Sequence, residues 1–411
     1  MRKVSIICTG GTLSMVHDEN GALAPAASDK FKEILHREVP ELQSDDMPTF
    51  ETTIYDPLLD SSQMTVADWN KIAKDIYDQY DNYDGFVILH GTDTMAYTGS
   101  ALSFMLQNLS KPVILTGAQI PLSSPNNDAK GNITQSIRIA GNCPQINEVC
   151  IYFDGDLLRA NRAVKTSTTS LKAFTSPNYP PLGKIDENNN IQLCTELLRQ
   201  NHSNEKLELT PLPITTKKIR FFRVEPSFDV DLLEQTLTGA DAVILQTLGD
   251  GNMPINGEII GLLAKANEAG VILINRSQCL QSDTASGTYA PGAALAACNI
   301  ISAGAQTNET IRAKLLYLFT RKLSPEAMRG LFVCDRSGEL TPAASLHYGI
   351  SPDRHSRYSK RISPGFFHCI SETPNTSGSN ALTHSDDTAP SPFSAGDPTF
   401  PVSSFTFGQL H

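Results

Sequence analysis

Two stretches of the chain put hydroxyl groups where a reaction could use them. The first is Thr9-Gly-Gly-Thr12, directly after the apolar run 4–8. The second is His90-Gly-Thr-Asp-Thr-Met95, directly after the apolar, partly β-branched run 86–89. A threonine hydroxyl becomes a nucleophile when a neighbouring base activates it. Asp93 sets a carboxylate beside Thr92, a pairing suited to proton transfer. The glycine pair allows a tight turn and close approach of a ligand to the backbone. Thr9–Thr12 also reads as a plain turn whose hydroxyls cap backbone groups, and spacing alone leaves both readings open. Lys165, in Arg162-Ala-Val-Lys-Thr-Ser-Thr-Thr169, is a third candidate. It is either a solvated lysine or a base whose pKa burial lowers. His90 closes a strand and reads as a hydrogen-bonding group within the fold. The histidines lack metal spacing such as HExxH, so neither metal nor cofactor is expected. There is no GxSxG elbow, and Thr-Gly-Gly-Thr is neither a Walker loop nor a dinucleotide fingerprint.

These residues need elements to hold them. Met95, Thr98, Leu102, Met105, Leu106 and Leu109 recur at helical spacing. Thr92 and Asp93 therefore sit on a strand-to-helix turn. In open α/β sheets ligands bind at the carboxyl ends of strands, and helix N-termini offer free N–H groups there. Further buried strands are expected at 112–116, 149–153, 242–246 and 271–275. Helices are expected at 30–37, 256–269 and 309–321. Another carries Val66, Trp69, Ile72, Ala73 and Ile76, with Thr65 and Asp68 as its capping box. Ser324-Pro325 reads as an N-cap followed by proline at the first helical position. The alternation predicts a parallel sheet with helices on both faces. Residues 18–28 read as a loop long enough to be a lid.

Charge narrows the partners. Thirty-three basic against 44 acidic side chains leave a net charge of −11. That disfavours nucleic acid or an anionic membrane as partner. No window approaches a membrane span, and the first residues hold no cleavable apolar leader. The eight cysteines occur singly, with no CxxC pair. They read as reduced thiols of a cytoplasmic protein.

Taken together, these stretches resemble the bacterial-type L-asparaginases, in their cytoplasmic, type I branch. Thr9-Gly-Gly-Thr-Leu13 matches the family's first signature and His90-Gly-Thr-Asp-Thr-Met95 its second. Residues 162–183, with Lys165, Ala173-Phe174 and Ser176-Pro-Asn-Tyr-Pro-Pro, match the segment around the catalytic lysine. Tyr83-Asp-Gly-Phe-Val-Ile-Leu, Leu115-Thr-Gly-Ala-Gln-Ile-Pro121 and Arg336-Ser-Gly-Glu-Leu-Thr-Pro342 resemble the type I branch. The likeness spans roughly residues 2–342. We expect two α/β domains: a larger, flavodoxin-like one with a parallel sheet over 1–186, and a smaller one over 215–344. A linker over 187–214 joins them, and a disordered tail over 345–411 follows.

The resemblance implies the roles. Thr12 is similar to the nucleophile that attacks the side-chain amide and forms an acyl-enzyme. Thr92, Asp93 and Lys165 resemble a second triad, in which the lysine–aspartate pair activates a hydroxyl or the attacking water. The family leaves open which threonine attacks first. Asp60, Ser61 and Ser62 fall where relatives hold the α-amino and α-carboxylate groups of the substrate. Asn252, in Gly249-Asp-Gly-Asn252, resembles a residue reaching the site from a neighbouring protomer, so a homodimer or homotetramer is expected. Two departures stand out. Many relatives carry a lid tyrosine that polarises the first threonine, and Gly21-Ala-Leu-Ala-Pro25 has none. Type I enzymes can also carry a regulatory asparagine site. Ser277-Gln-Cys279 matches part of it, but its arginine is Gln246 here. The expected function is hydrolysis of L-asparagine. The rivals are a non-catalytic amino-acid-binding regulator on the same scaffold and a component of a transfer-RNA amidotransferase.

Overall fold

Val4, Ile6, Ile7 and Cys8, like all of Phe86 to Leu89, have no accessible surface. Strands covered on both faces read as continuous apolar runs, and these two are adjacent interior strands of an eight-stranded sheet. Its order is Ile191–Leu193, Gly183–Ile185, Asp156–Arg159, Val149–Phe153, Val113–Thr116, Gly85–Leu89, Lys3–Gly10, Thr49–Leu59. The last five are mutually parallel. Numbered along the chain they run 2-1-3-4-5, the flavodoxin-like order. The other three join antiparallel. A second sheet, of Ile219–Arg223, Ala242–Thr247, Ile272–Ser277 and Ile301–Ser302, is parallel throughout. This computed structural model describes residues 2–17, 19, 21, 23–200, 205–214, 217–282, 295 and 298–340. The tail expected over 345–411 lies outside them.

Several helices begin at capping side chains, two of them at the caps expected from the sequence. Thr65 and Asp68 form the capping box of Val66–Gln79. The Asn256 side chain caps Gly257–Glu268, and Ser324 caps Pro325–Phe332. Helix Met95–Met105 has ten buried residues, so it carries no polar stripe. Its Leu102 and Phe104 belong to one apolar cluster with Ile311, Leu315 and Tyr317 of helix Asn308–Thr320 and with Ile244 and Ile274 of the second sheet. All described residues fall in one compact unit.

Three segments depart from expectation. Within the predicted lid loop, Leu23–Pro25 pairs antiparallel with Met15–His17, so a short hairpin replaces part of it. The expected linker is partly woven into sheets: Ile191–Leu193 forms an edge of the first sheet, and Glu208–Leu209 pairs with Leu106–Gln107. Ile191 and Leu193 flank Gln192, a period-two signal too short to stand out from polar surroundings. Phe174–Thr175, in a stretch without periodicity, pairs with Val164–Lys165.

Candidate active site

The site lies between Lys3–Gly10 and Gly85–Leu89, where the strand order reverses. The carboxyl ends of strands at such a point form a crevice that binds ligands. Three loops converge there, and glycine is what lets them touch. Gly10 and Gly11 have φ of +130° and +91°, values that L side chains rarely adopt. A Cβ on Gly10 would lie 2.2 Å from the Leu59 carbonyl oxygen, and one on Gly11 2.3 Å from Gly91 Cα. A Cβ on Gly91 would lie 2.4 Å from Ser61 Oγ. So the Thr9–Thr12 turn, the Asp60–Ser62 turn and the Gly91–Asp93 turn stack closely against one another. Hydrogen bonds fix the stack. The Gly11 N–H donates to Leu59 O at 3.2 Å, Thr9 Oγ1 to Leu89 O at 3.0 Å, and Thr94 Oγ1 to Ser61 O at 2.8 Å.

Within this frame Thr12 opens a 3-10 turn, Thr12–Ser14, and is half-buried. Ser61 is buried, while Asp60 and Ser62 are exposed. The Asp60 carboxylate accepts from the Ser62 N–H at 2.9 Å. Lys165 arrives on the short strand Val164–Lys165, held by Phe174–Thr175. Its Nζ donates to Thr92 Oγ1 at 2.8 Å and to Asp93 Oδ1 at 2.6 Å. The Lys165 side chain is 18% exposed and that of Asp93 62%. The ammonium thus bridges a nearly buried hydroxyl and a solvated carboxylate, a relay able to pass a proton either way. Spacing in sequence, 73 residues from Thr92 to Lys165, gives no sign of this contact.

His90 has no accessible surface. Its Nδ1 lies 2.6 Å from Gly91 O, and its Nε2 2.9 Å from Thr98 Oγ1. Trp69 Nε1 donates to the same Thr98 oxygen at 3.0 Å. The network assigns the proton to Nδ1, which donates to Gly91 O, while the Thr98 hydroxyl donates to Nε2. Burial pushes the imidazole pKa down to about 4, so the ring is neutral near pH 7. It supports the Gly91 carbonyl and faces no reaction. Cys8, near the end of the first strand, is also inert, its thiol pushed up to about 12 by burial.

Asn252 stands on the turn after Ala242–Thr247. It exchanges two 2.8 Å backbone hydrogen bonds with Leu248. Its Oδ1 is buried without a hydrogen-bond partner among the described residues. Nearby, Gln278 Nε2 donates to Val224 O and Gln246 O at 2.5 and 2.7 Å. Arg276 is 4% exposed. Its guanidinium donates to Ser277 O, Cys279 O and Ser282 Oγ at 2.5, 3.0 and 2.9 Å. Among the described residues no group near the three loops could form a metal site.

Comparisons with known proteins bear on the family. The family model "Asparaginase, N-terminal" matches residues 3–199, and "Glutaminase/Asparaginase C-terminal domain" matches 218–332. The chain is 39% identical to "L-asparaginase 1" of Escherichia coli (strain K12), over 83% of this chain and 98% of that protein. The crystal structure of L-asparaginase I from Vibrio cholerae matches with TM-score 0.75 and 40% identity, over 83% of this chain and 99% of that one. More distant is a glutamyl-tRNA(Gln) amidotransferase component of Pyrococcus abyssi, 31% identical over 83% of this chain and 77% of that protein. Fold and sequence define an amide-cleaving class of hydrolase. The chain belongs to the asparaginase family.

Proposed function

We propose that this protein is an L-asparaginase, a hydrolase that converts L-asparagine and water to L-aspartate and ammonia. The observation that supports it most is Lys165 Nζ bridging Thr92 and Asp93 in the crevice that also receives the Thr12 turn. Thr12 Oγ1 attacks the side-chain amide carbon and gives up its proton to the Lys165–Asp93 pair. The developing oxyanion takes backbone N–H bonds from the Gly91–Asp93 turn. The Lys165–Asp93 pair delivers a proton to the departing nitrogen, ammonia leaves, and an acyl-enzyme ester stays on Thr12. Water then attacks the ester, its proton passes through the same relay to Thr12 Oγ1 as the ester bond breaks, and aspartate is released. Asp60 pairs with the α-amino group, and Ser61 and Ser62 face the α-carboxylate. Asn252 completes the site of a neighbouring protomer, in a cytoplasmic homodimer or homotetramer. The reaction needs no metal or cofactor.

The test is ammonia release from free L-asparagine by the purified protein alone, with L-glutamine in parallel. Steady release from asparagine is expected. No release would favour a binding regulator. Activity only with misacylated transfer RNA would favour the amidotransferase reading. One extra methylene is poorly excluded by pocket size, so some glutamine turnover is compatible.

Regulation by asparagine is expected to be weak. Gln246 brings no charge to a carboxylate, and Arg276 is committed to its own loop. Charge-assisted hydrogen bonds contribute roughly 1.5–3 kcal/mol against about 1 for neutral ones. That difference alone lowers affinity about tenfold. Initial rates over a wide asparagine range should be near-hyperbolic, and a Hill coefficient clearly above about 1.5 contradicts this.

A further inference from the structure

The proton-handling residues are carried by two segments far apart in sequence. Thr92 and Asp93 directly precede helix Met95–Met105, and Lys165 follows the Ala160–Arg162 turn. That helix and that turn both pack against helix Asn308–Thr320, which belongs to the C-terminal half. At their junction Ser100, Asn161 and Thr310 each have no accessible surface. Thr310 Oγ1 donates to the Asn161 carbonyl at 2.6 Å and lies 3.2 Å from Ser100 Oγ. It also accepts from Thr307 Oγ1 at 3.1 Å. A hydroxyl has one proton and two lone pairs. With its proton on Asn161, Thr310 accepts from Ser100 and Thr307, and all three positions are filled. The same turn is gripped a second time. Asn161 Nδ2 donates to Ser337 O, and Arg162 Nε to Gly338 O, each at 2.8 Å. Glu339 anchors that segment by accepting from the Ser337 N–H at 2.6 Å and from Lys314, on the same helix as Thr310, at 2.5 Å.

We propose that Thr310 is a positioning residue for the asparaginase reaction. Its hydroxyl ties the helix behind Thr92 to the turn before Lys165, and so sets the separation of Lys165 Nζ from Thr92 and Asp93. The inference rests on Lys165 being the proton carrier of the proposed function. A structural role alone would lower thermal stability without changing turnover by folded enzyme. A positioning role lowers kcat, because misplacing reacting groups by about 1 Å costs up to about 100-fold.

The experiment compares Thr310→Val, Thr310→Ser, Lys165→Met and the Thr310→Val/Lys165→Met double variant. Each is assayed on asparagine well below its melting transition, with the fold checked by near-ultraviolet circular dichroism. Thr310→Val should lower kcat about tenfold or more with little change in KM. Thr310→Ser should restore most of it. In the Lys165→Met background the valine should have almost no further effect, since interacting residues are non-additive. Wild-type kcat in folded Thr310→Val, or an undiminished loss in the Lys165→Met background, overturns the proposal. If Thr310→Val does not fold, Ser100→Ala serves instead, with a smaller loss of kcat and the same non-additivity. Inactive Lys165→Met beside fully active Thr310→Val overturns positioning alone. Fully active Lys165→Met overturns the role of Lys165 and this proposal with it.

Discussion

Replacing Thr12 by alanine is expected to abolish nearly all asparagine turnover while the protein stays folded. Thr12 is half-buried at the head of a short 3-10 turn, which it helps to close only through its backbone carbonyl, accepting from the Met15 N–H. The Ser14 N–H and Ser14 Oγ both reach Gly11 O, at 3.0 and 2.9 Å. The Gly10–Gly11 backbone, not the Thr12 side chain, meets Leu59 and Gly91. So the methyl of alanine should fit without moving the loops, and the melting temperature should change little. Chemistry should suffer far more. Without a nucleophile only binding and oxyanion donors remain, and losses on the order of 10⁶-fold in kcat are known for such deletions. Steady-state ammonia release and a thermal melt on one preparation decide it. Turnover near wild type by a folded variant would sink the assignment of Thr12. It would leave Thr92 as the first attacker.

Lys165→Met should be the second most damaging change. Methionine keeps much of the length of the side chain and most of its apolar stem, so packing around the half-buried strand is kept. The Asp93 carboxylate left behind is 62% exposed and stays solvated, so no charge is stranded in the interior. Stability should therefore hold. What disappears is the relay between Thr92 and Asp93, and proton transfer by a placed group contributes about 10²–10⁴-fold. The loss should fall on kcat, because a shuttle acts mainly in the transition state. A rise in KM at constant kcat would instead make Lys165 a substrate-binding group.

Much of this was legible in the residues, for a physical reason. Strands buried on both faces, such as Gly85–Leu89 and Val149–Phe153, leave uninterrupted apolar runs. Capping side chains such as Ser324 mark helix starts directly. Elements with mixed duty were hidden. Thr49–Leu59 is an edge strand whose early residues alternate between exposed and half-buried, so polar Glu51, Thr52 and Thr53 leave no apolar run to mark it. Helix Ala129–Asn142 buries Asn132, Gln135 and Ser136, which obscures any apolar stripe. Asn132 is there to join strand ends, donating to Gly117 O at 3.0 Å and accepting from the Asp154 N–H at 3.1 Å. The site was half visible. Its glycines and hydroxyls stand in two short motifs, whereas the Lys165 bridge and the Thr310 junction join residues 73 and 149 positions apart. No local pattern encodes such contacts.

The apolar cluster shared by helices Met95–Met105 and Asn308–Thr320 also bears on how the chain is made. Synthesis proceeds from the amino end, and early segments emerge first. Helix Met95–Met105, with ten of its residues buried, then waits through some two hundred further residues for the partner that completes its cover. Contacts this distant in sequence slow folding. During the delay a sticky surface stands open to self-association. A fragment ending before Asn308 is thus expected to expose apolar surface that the full chain buries. The arrival of Asn308–Thr320 supplies the apolar side chains that complete the cluster.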